Sequence, residues 1–251
     1  MKAASRPHPT THKLHKLLAQ TGLGSRRSME QLIQSGQVTV NGRLATIGTR
    51  VGPDDTVRVN RRIIKLGFIS ELPRVIIYYK PEGEIVSRSD PEGRASVFDN
   101  LPAIHSARWI AIGRLDYNTS GLLMFTSSGE LANRMMHPKF EVEREYAVRI
   151  RGELSAGQMQ QLRNGVKLED GKAKFERLEV GGGEGANRWY RVVLKEGRKR
   201  LVRRMFEAFG FTVSRLIRVR FGAISLPPRL KRGHFLELDQ KEVAAILASL
   251  A

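Results

Sequence analysis

The chain has 251 residues, with 43 Lys or Arg against 25 Asp or Glu, a formal net charge of +18 and 41% hydrophobic residues. That charge suits a polyanionic partner, and the hydrophobic content suffices for real cores, divided here between a small and a medium domain. The absence of cysteine excludes disulfides and thiolate metal sites, no apolar run approaches the roughly 18 residues of a spanning helix, and the start carries no apolar signal region, so a cytoplasmic nucleic-acid-binding protein without membrane attachment is expected.

Residues 1–11 include Lys2, Arg6, two prolines and a histidine without apolar periodicity, which predicts a disordered basic tail. Leu14, Leu17 and Leu18 then give one apolar face to a short helix, closed by Gly22 and Gly24. Ser25 is placed to cap a second helix, in which Met29, Leu32 and Ile33 repeat at helical spacing and Gly36 ends the last turn. Arg26 and Arg27 open that helix, where positive charge opposes the macrodipole; phosphate contact explains them better than local stability does. Val38-Thr39-Val40 alternates like a strand, and Asn41-Gly42, just before Arg43, is a two-residue hairpin signal. With a closing strand Val57-Arg58-Val59, this order resembles the S4 RNA-binding domain over residues 12–60, which implies that Arg26, Arg27 and Arg43 meet RNA. Residues 61–73 lack a clear period, contain Gly67 and end in Pro73, and are expected to form a linker. His12 and His15 have helical spacing but no evident carboxylate partner, so no zinc site is expected.

From residue 74 to 251 the texture changes to short apolar runs at Val75 to Tyr79, Leu122 to Thr126, Tyr146 to Ile150, Trp189 to Leu194, Val213 to Val219 and Phe235 to Leu238. These predict strands. Helical patterns are fewer, chiefly Glu130 to Met136, Ala156 to Arg163, Leu201 to Phe209 and Glu242 to Leu250, so the fold class is α+β with a largely antiparallel mixed sheet flanked by helices. Ser127-Ser128-Gly129-Glu130 has capping-box spacing ahead of the first of these helices, and Pro138 stops it beyond His137. Gly181-Gly182-Gly183-Glu184-Gly185 lacks the Lys-Ser/Thr of a phosphate loop and precedes a strand, which predicts a flexible hairpin.

The segment Gly113-Arg114-Leu115-Asp116-Tyr117-Asn118-Thr119-Ser120-Gly121 sets one carboxylate among a cation, turn glycines and hydroxyl or amide groups, directly before an apolar run. By residue type alone, Asp116 could cap a turn, pair with Arg114 or act as a nucleophile. The segment, continuing to Pro138, resembles the Gly-Arg-Leu-Asp signature of pseudouridine synthases in the branch of ribosomal small-subunit synthase A and large-subunit synthases B, E and F. Glu143-Arg144-Glu145-Tyr146-Ala147-Val148 is similar to that family's second motif, with Arg144 where lysine is commoner. Glu196-Gly197-Arg198-Lys199-Arg200-Leu201-Val202-Arg203-Arg204-Met205-Phe206 is similar to its third, with Leu201 where a polar residue is usual. Ser128 is another departure, standing where relatives often carry aspartate.

The resemblance implies a synthase domain over 74–251, with Asp116 as nucleophile, Arg203 as its ion-pair partner and Tyr146 stacking on uracil and assisting proton movement at C5. It further implies Leu216 as an apolar wall beside the flipped base and Arg114 as a residue that holds or replaces that base. Between Arg188 and Arg220 lie eleven Lys or Arg against Glu196 and Glu207. So one-sided a run is costly through self-repulsion unless a polyanion offsets it, and Arg198, Lys199, Arg200 and Arg204 are expected along the substrate groove.

Isomerising uridine moves the base from N1 to C5 with no net addition of atoms and no redox change, so no cofactor and no metal are expected. The segments Lys80-Pro81-Glu82-Gly83-Glu84, Asp90-Pro91-Glu92-Gly93-Arg94 and residues 183–190 look most like the large-subunit synthase B branch. That implies one uridine in a large-subunit ribosomal RNA hairpin, free or in an assembling subunit, and a monomeric enzyme. A non-catalytic ribosome-assembly factor needs the basic surface but not Asp116; a metal-dependent nuclease is a weaker alternative, because the carboxylates are not grouped.

Overall fold

The structure, a computed structural model, describes residues 11–67, 72–104, 107–183 and 185–250. Residues 1–10 of the expected tail, 68–71 of the expected linker and Glu184 of the glycine-rich turn lie outside the described residues. Two compact units are present, one within residues 1–73 plus 103–109 and the other within 74–102 plus 110–251. Residues 103, 104 and 107–109, placed by the sequence reading in the second domain, thus cluster with the first.

The first unit contains β1 (His12–Lys13), α1 (Leu14–Gln20), α2 (Arg26–Gln34), β2 (Val38–Val40), β3 (Arg43–Leu44), β4 (Arg50–Val51), β5 (Val57–Val59) and β6 (Arg62–Ile64). Ser25 caps α2 by accepting a hydrogen bond from the Ser28 amide at 3.0 Å, and Leu14, Leu18, Met29 and Ile33 pack on Val38, Val51 and Val57. Asn41 and Gly42 both have positive φ, the backbone of a tight hairpin between β2 and β3. Strand β6 corrects the linker expectation. Asn60 and Arg61 also carry positive φ and return the chain onto β5, a turn that arginine does not announce. His15 approaches Glu30 at 3.8 Å, so it does have a carboxylate neighbour, one that ties α1 to α2. Arg26, Arg27 and Arg43 are exposed on this unit.

The second unit comprises β7 (Val75–Lys80), β8 (Ile110–Ala111), β9 (Ser120–Thr126), α3 (Gly129–Met136), β10 (Arg144–Arg151), α4 (Ala156–Asn164), β11 (Val166–Leu168), β12 (Gly171–Ala173), β13 (Arg177–Gly182), β14 (Asn187–Leu194), α5 (Leu201–Glu207), β15 (Val213–Phe221), β16 (Ile224–Ser225), β17 (Phe235–Glu237) and α6 (Gln240–Ala248). The main sheet runs β13-β14-β10-β15-β9-β7-β17, with β16 on β15 and β8 on β9. Its neighbours are antiparallel except β15 and β9, which pair in parallel through Ile217 with Ser120 and Arg218 with Gly121. The fold is therefore α+β with a largely antiparallel mixed sheet.

Helices α3 and α6 pack Leu131, Met135, Val243 and Ile246 against Val75, Ile77, Leu122 and Met124. At the other end of the sheet, Phe206 of α5 contacts Tyr190 and Phe175. Strands β7 and β9 lie at the centre of this packing, which is why they read as continuous apolar runs rather than alternating ones. The N-cap of α3 is Ser128, one residue later than the capping-box spacing suggested, because the Ser127 hydroxyl accepts from the Arg74 amide instead. Among the described residues no helix is long and apolar enough to cross a membrane.

Gly121 lies at the parallel seam with φ +109°, and a Cβ there would overlap the Arg218 backbone. No relaxation of a flexible side chain relieves that overlap. Gly121→Ala is expected to destabilise the protein by more than about 1 kcal/mol, combining the positive φ with backbone collision; thermal and denaturant unfolding check this.

Candidate active site

The connection from β8 to β9 turns at Gly113 and closes at Thr119, whose amide donates to the Asp116 carbonyl at 3.0 Å. Leu115 points into the core, while Arg114, Asp116 and Tyr117 are exposed. The Tyr117 carbonyl accepts from the Gly83 amide at 3.0 Å, and two buried cations supply further donors to the carbonyls of this turn. Lys80, fully buried at the end of β7, donates from Nζ to the carbonyls of Pro81 (2.9 Å), Asp116 (3.2 Å), Tyr117 (3.4 Å) and Thr119 (2.9 Å). Burial lowers the Lys80 pKa to about 8, against the opposing charges of Glu84, Asp116 and Glu82. From α5, Arg203 donates to the Asn118 carbonyl and to the Val213 carbonyl, each at 2.7 Å.

Arg203 is thus brought to the Asp116 turn, but its expected ion pair takes another form. Its terminal nitrogens hold backbone, and among the described residues no cation pairs directly with the Asp116 carboxylate. Burial, and then the neighbouring Arg200 charge, push the Arg203 guanidinium below its ordinary value, and Asp116 opposes them only as a nearby charge. The carboxylate is left exposed in a cleft of about 1310 Å³.

Tyr146 and Leu216 line that cleft with Asp116 and Arg114. Tyr146 stands opposite Arg218 on β15 and Val192 on β14, and Leu216 lies two pairs further along, opposite Val148. Two buried arginines flank the phenol. Arg144 donates to the carbonyls of Val142 (2.8 Å) and Lys195 (2.9 Å), and Arg218 donates to Leu122 at 2.7 Å while lying 4.8 Å over the Phe221 ring. Burial pushes both guanidinium groups below their ordinary values, with the nearby Tyr146 opposing. Neither has a carboxylate in direct contact among the described residues, so the cleft floor favours negative charge.

The wall above β7 is a folded loop. Tyr78 donates to Glu84 at 2.8 Å and Asn100 donates to both, so the loop's start and end are fastened to the sheet; burial and Glu84 together raise the Tyr78 pKa. At its tip Arg94 donates twice to Asp90, holding that carboxyl at about 2.

The basic run divides. Arg198, Lys199 and Arg200 line the cleft, but Arg198 also pairs with Asp170 and Glu196, and Arg200 with Glu207. Arg204, expected in the groove, instead makes a two-pronged pair with Asp170 at 2.8 Å and does not line the cleft. It anchors the turn between β11 and β12 to α5. Leu201 is buried at the start of α5, which accounts for an apolar residue where a polar one is usual.

The family profile described as RNA pseudouridylate synthase matches residues 74–208, and an S4 domain profile matches residues 13–57. The chain belongs to the RNA pseudouridylate synthase family. It is 54% identical over 232 residues to the ribosomal large subunit pseudouridine synthase B of Salmonella typhi, covering 91% of this chain and 80% of that one. It is 52% identical over 246 residues to the Haemophilus influenzae protein of the same name, covering 97% and 69% of the two. A crystal structure of a pseudouridylate synthase superposes with a TM-score of 0.64 at 23% identity, covering 93% of this chain and 99% of that one, a likeness of fold.

In this synthase, sequence reasoning missed three residues that hold the cleft together: Lys80, Arg144 and Arg218 serve structural hydrogen bonds to carbonyls, which leave no residue-type pattern. Lys80 did carry one signal, as the only charge ending the apolar run Val75 to Tyr79. Its folded-state pKa lies below the ordinary 10.5, so the unfolded chain binds more protons between about pH 8 and 10.5. The contribution of this group to stability accordingly rises with pH through that window. Lys80→Met should remove this component from the pH profile of unfolding. It should also lower kcat by about 10²-fold through misplacement of the Asp116 turn, while RNA affinity changes little. Unfolding curves at pH 7 to 10.5 and single-turnover kinetics measure the two effects.

Proposed function

We propose that this protein converts one uridine in a hairpin of large-subunit ribosomal RNA to pseudouridine, acting as a cytoplasmic monomer on free RNA or on an assembling subunit. The observation that carries the reading is the exposed Asp116 carboxylate, held by its backbone and facing a cationic cleft that also contains Tyr146 and Leu216. The names of the relatives supply the RNA class.

A uridine within a stem or folded loop must leave its stack to reach Asp116. Tyr146 offers an aromatic surface on which the extruded base stacks, Leu216 an apolar wall beside it, and exposed Arg114 can occupy or steady the position it leaves. The Asp116 carboxylate then attacks either ribose C1′ or uracil C6; both routes use it as a covalent nucleophile. The C1′–N1 bond breaks, the base turns, a C1′–C5 bond forms, and the covalent bond to Asp116 breaks to regenerate the carboxylate. The hydrogen on C5 leaves as a proton, a movement that Tyr146 assists, and N1 takes up a proton, so the reaction balances without a redox partner. Arg203 and Lys80 act by positioning the turn rather than by touching the base.

The test is tritium release from large-subunit ribosomal RNA carrying 5-tritiated uridine, in buffer containing EDTA. Wild-type protein should release tritium equivalent to about one uridine per RNA. Asp116→Asn should bind RNA comparably and release none. Absence of release by folded, RNA-bound wild-type protein, on free RNA and on assembly intermediates alike, would favour a non-catalytic assembly factor.

A further inference from the structure

Strands β13, β14, β10 and β15 have two faces, and the cleft uses only one. Tyr146, Val192, Leu216 and Arg218 belong to the cleft face, which α5 covers beyond the cleft through Phe206 and Tyr190. Successive residues of a strand point to opposite faces. The other face therefore carries the intervening residues, and these are largely solvent-accessible: Arg177, Arg191, Arg151 and Arg215 are exposed, and Arg149 and Trp189 are half-buried.

The charges on this face fall into two groups. At one end, Arg177, Arg191 and Arg220 converge on Glu145 at 3.4, 3.0 and 2.9 Å, so their charges are partly neutralised. At the other end they are not. Arg149 stands directly across from Arg215 on β15 and from Trp189 on β14, with its guanidinium 5.8 Å from the Trp189 ring centre. Its Nε donates to the Ser214 hydroxyl at 3.0 Å, and among the described residues neither Arg149, Arg151 nor Arg215 pairs with an acid. Like charges directly opposite on neighbouring strands are destabilising. Folding therefore gives no reason for Arg149 to face Arg215, whereas a bound polyanion would reverse the sign of that interaction.

We infer that this second face, centred on Arg149, Arg151, Arg215 and Trp189, binds the phosphate backbone of an RNA segment separate from the one that enters the cleft. The inference rests on the proposed action on ribosomal RNA. Charge complementarity selects RNA over a protein partner: the patch presents unneutralised arginines around one aromatic ring, without the cluster of large apolar side chains that anchors a protein interface. Because a sheet separates the two faces, one nucleotide cannot touch both. The second segment comes from elsewhere in a long RNA, and a minimal hairpin that fills the cleft leaves this face empty.

The experiment compares wild type with Arg151→Gln/Arg215→Gln and with Arg149→Gln/Arg151→Gln/Arg215→Gln. Arg151 and Arg215 are exposed and unpaired with acids, so the double variant keeps its fold, which circular dichroism and the melting temperature verify. Binding is measured against a domain-length ribosomal RNA and against the shortest hairpin that wild type modifies. With the long RNA, affinity should fall about tenfold or more in the triple variant, and the slope of log K against log salt should flatten by about two to three, roughly one unit per lost phosphate contact. Affinity and turnover on the hairpin should stay within about twofold. Equal weakening on both RNAs, or no change on either, would overturn the inference. A loss seen only when ribosomal proteins accompany the RNA would overturn it in favour of a protein contact. Should wild type isomerise nothing, the catalytic reading fails, and binding to the long RNA alone still decides the fate of this surface.

Discussion

A single buried ammonium group organises the catalytic half of this molecule. Lys80 sits at the end of a strand wrapped on both sides by apolar residues, where an unpaired charge is expensive, and the carbonyls of the Asp116 turn make that position tolerable. The dependence is mutual. Lys80 joins the carbonyls of Asp116, Tyr117 and Thr119 to the end of β7, and those carbonyls are the acceptors of its buried charge. Arg203 does from α5 what Lys80 does from β7, so the Asp116 turn is held from two elements distant in sequence. Neither cation competes for the carboxylate itself, which stays available for chemistry.

The rest of the site follows from that frame. Tyr146 and Leu216 project from neighbouring antiparallel strands, so their separation is set by sheet geometry rather than by a loop. The arginines beside the phenol are held by carbonyls of the same sheet and its adjoining turns. A reaction in which a base detaches, rotates and rejoins benefits from walls that do not move and from a positive potential that retains the detached base. Buried arginines held by neutral oxygens supply such a potential without being cancelled by local acids.

Much of this was legible from residue order. Helical spacing at Leu14, Leu17 and Leu18, the cap at Ser25, the Asn41-Gly42 turn and the apolar runs at Val75 and Leu122 are local signals, and the elements form where those signals lie. Asp116, Tyr146 and Leu216 were legible through family motifs, and they share one cleft. What escaped was closure at a distance. Family position matches Arg203 to the Asp116 carboxylate, whereas its hydrogen bonds go to two carbonyls that no sequence pattern marks. Arg204 was taken for a groove residue because it belongs to a basic run, yet Asp170, far off in sequence, claims it. Strand β6 was missed because Asn60-Arg61 turns with an arginine in a conformation usually left to glycine or asparagine.

The parallel seam between β9 and β15 has a consequence for the timing of synthesis. Its partners lie about a hundred residues apart in the chain, with Asp116 leading into one strand and Leu216 and Arg218 carried on the other. Strands β10, β14 and β13 pair through nearer connections, so they can begin pairing while translation continues. Asp116, by contrast, leaves the ribosome long before Leu216, which lines the same cleft. Leu216 and Arg218 therefore join the cleft only once β15 takes its place between β10 and β9, and a nascent fragment stopping short of Phe221 carries the signature motif with part of that wall missing.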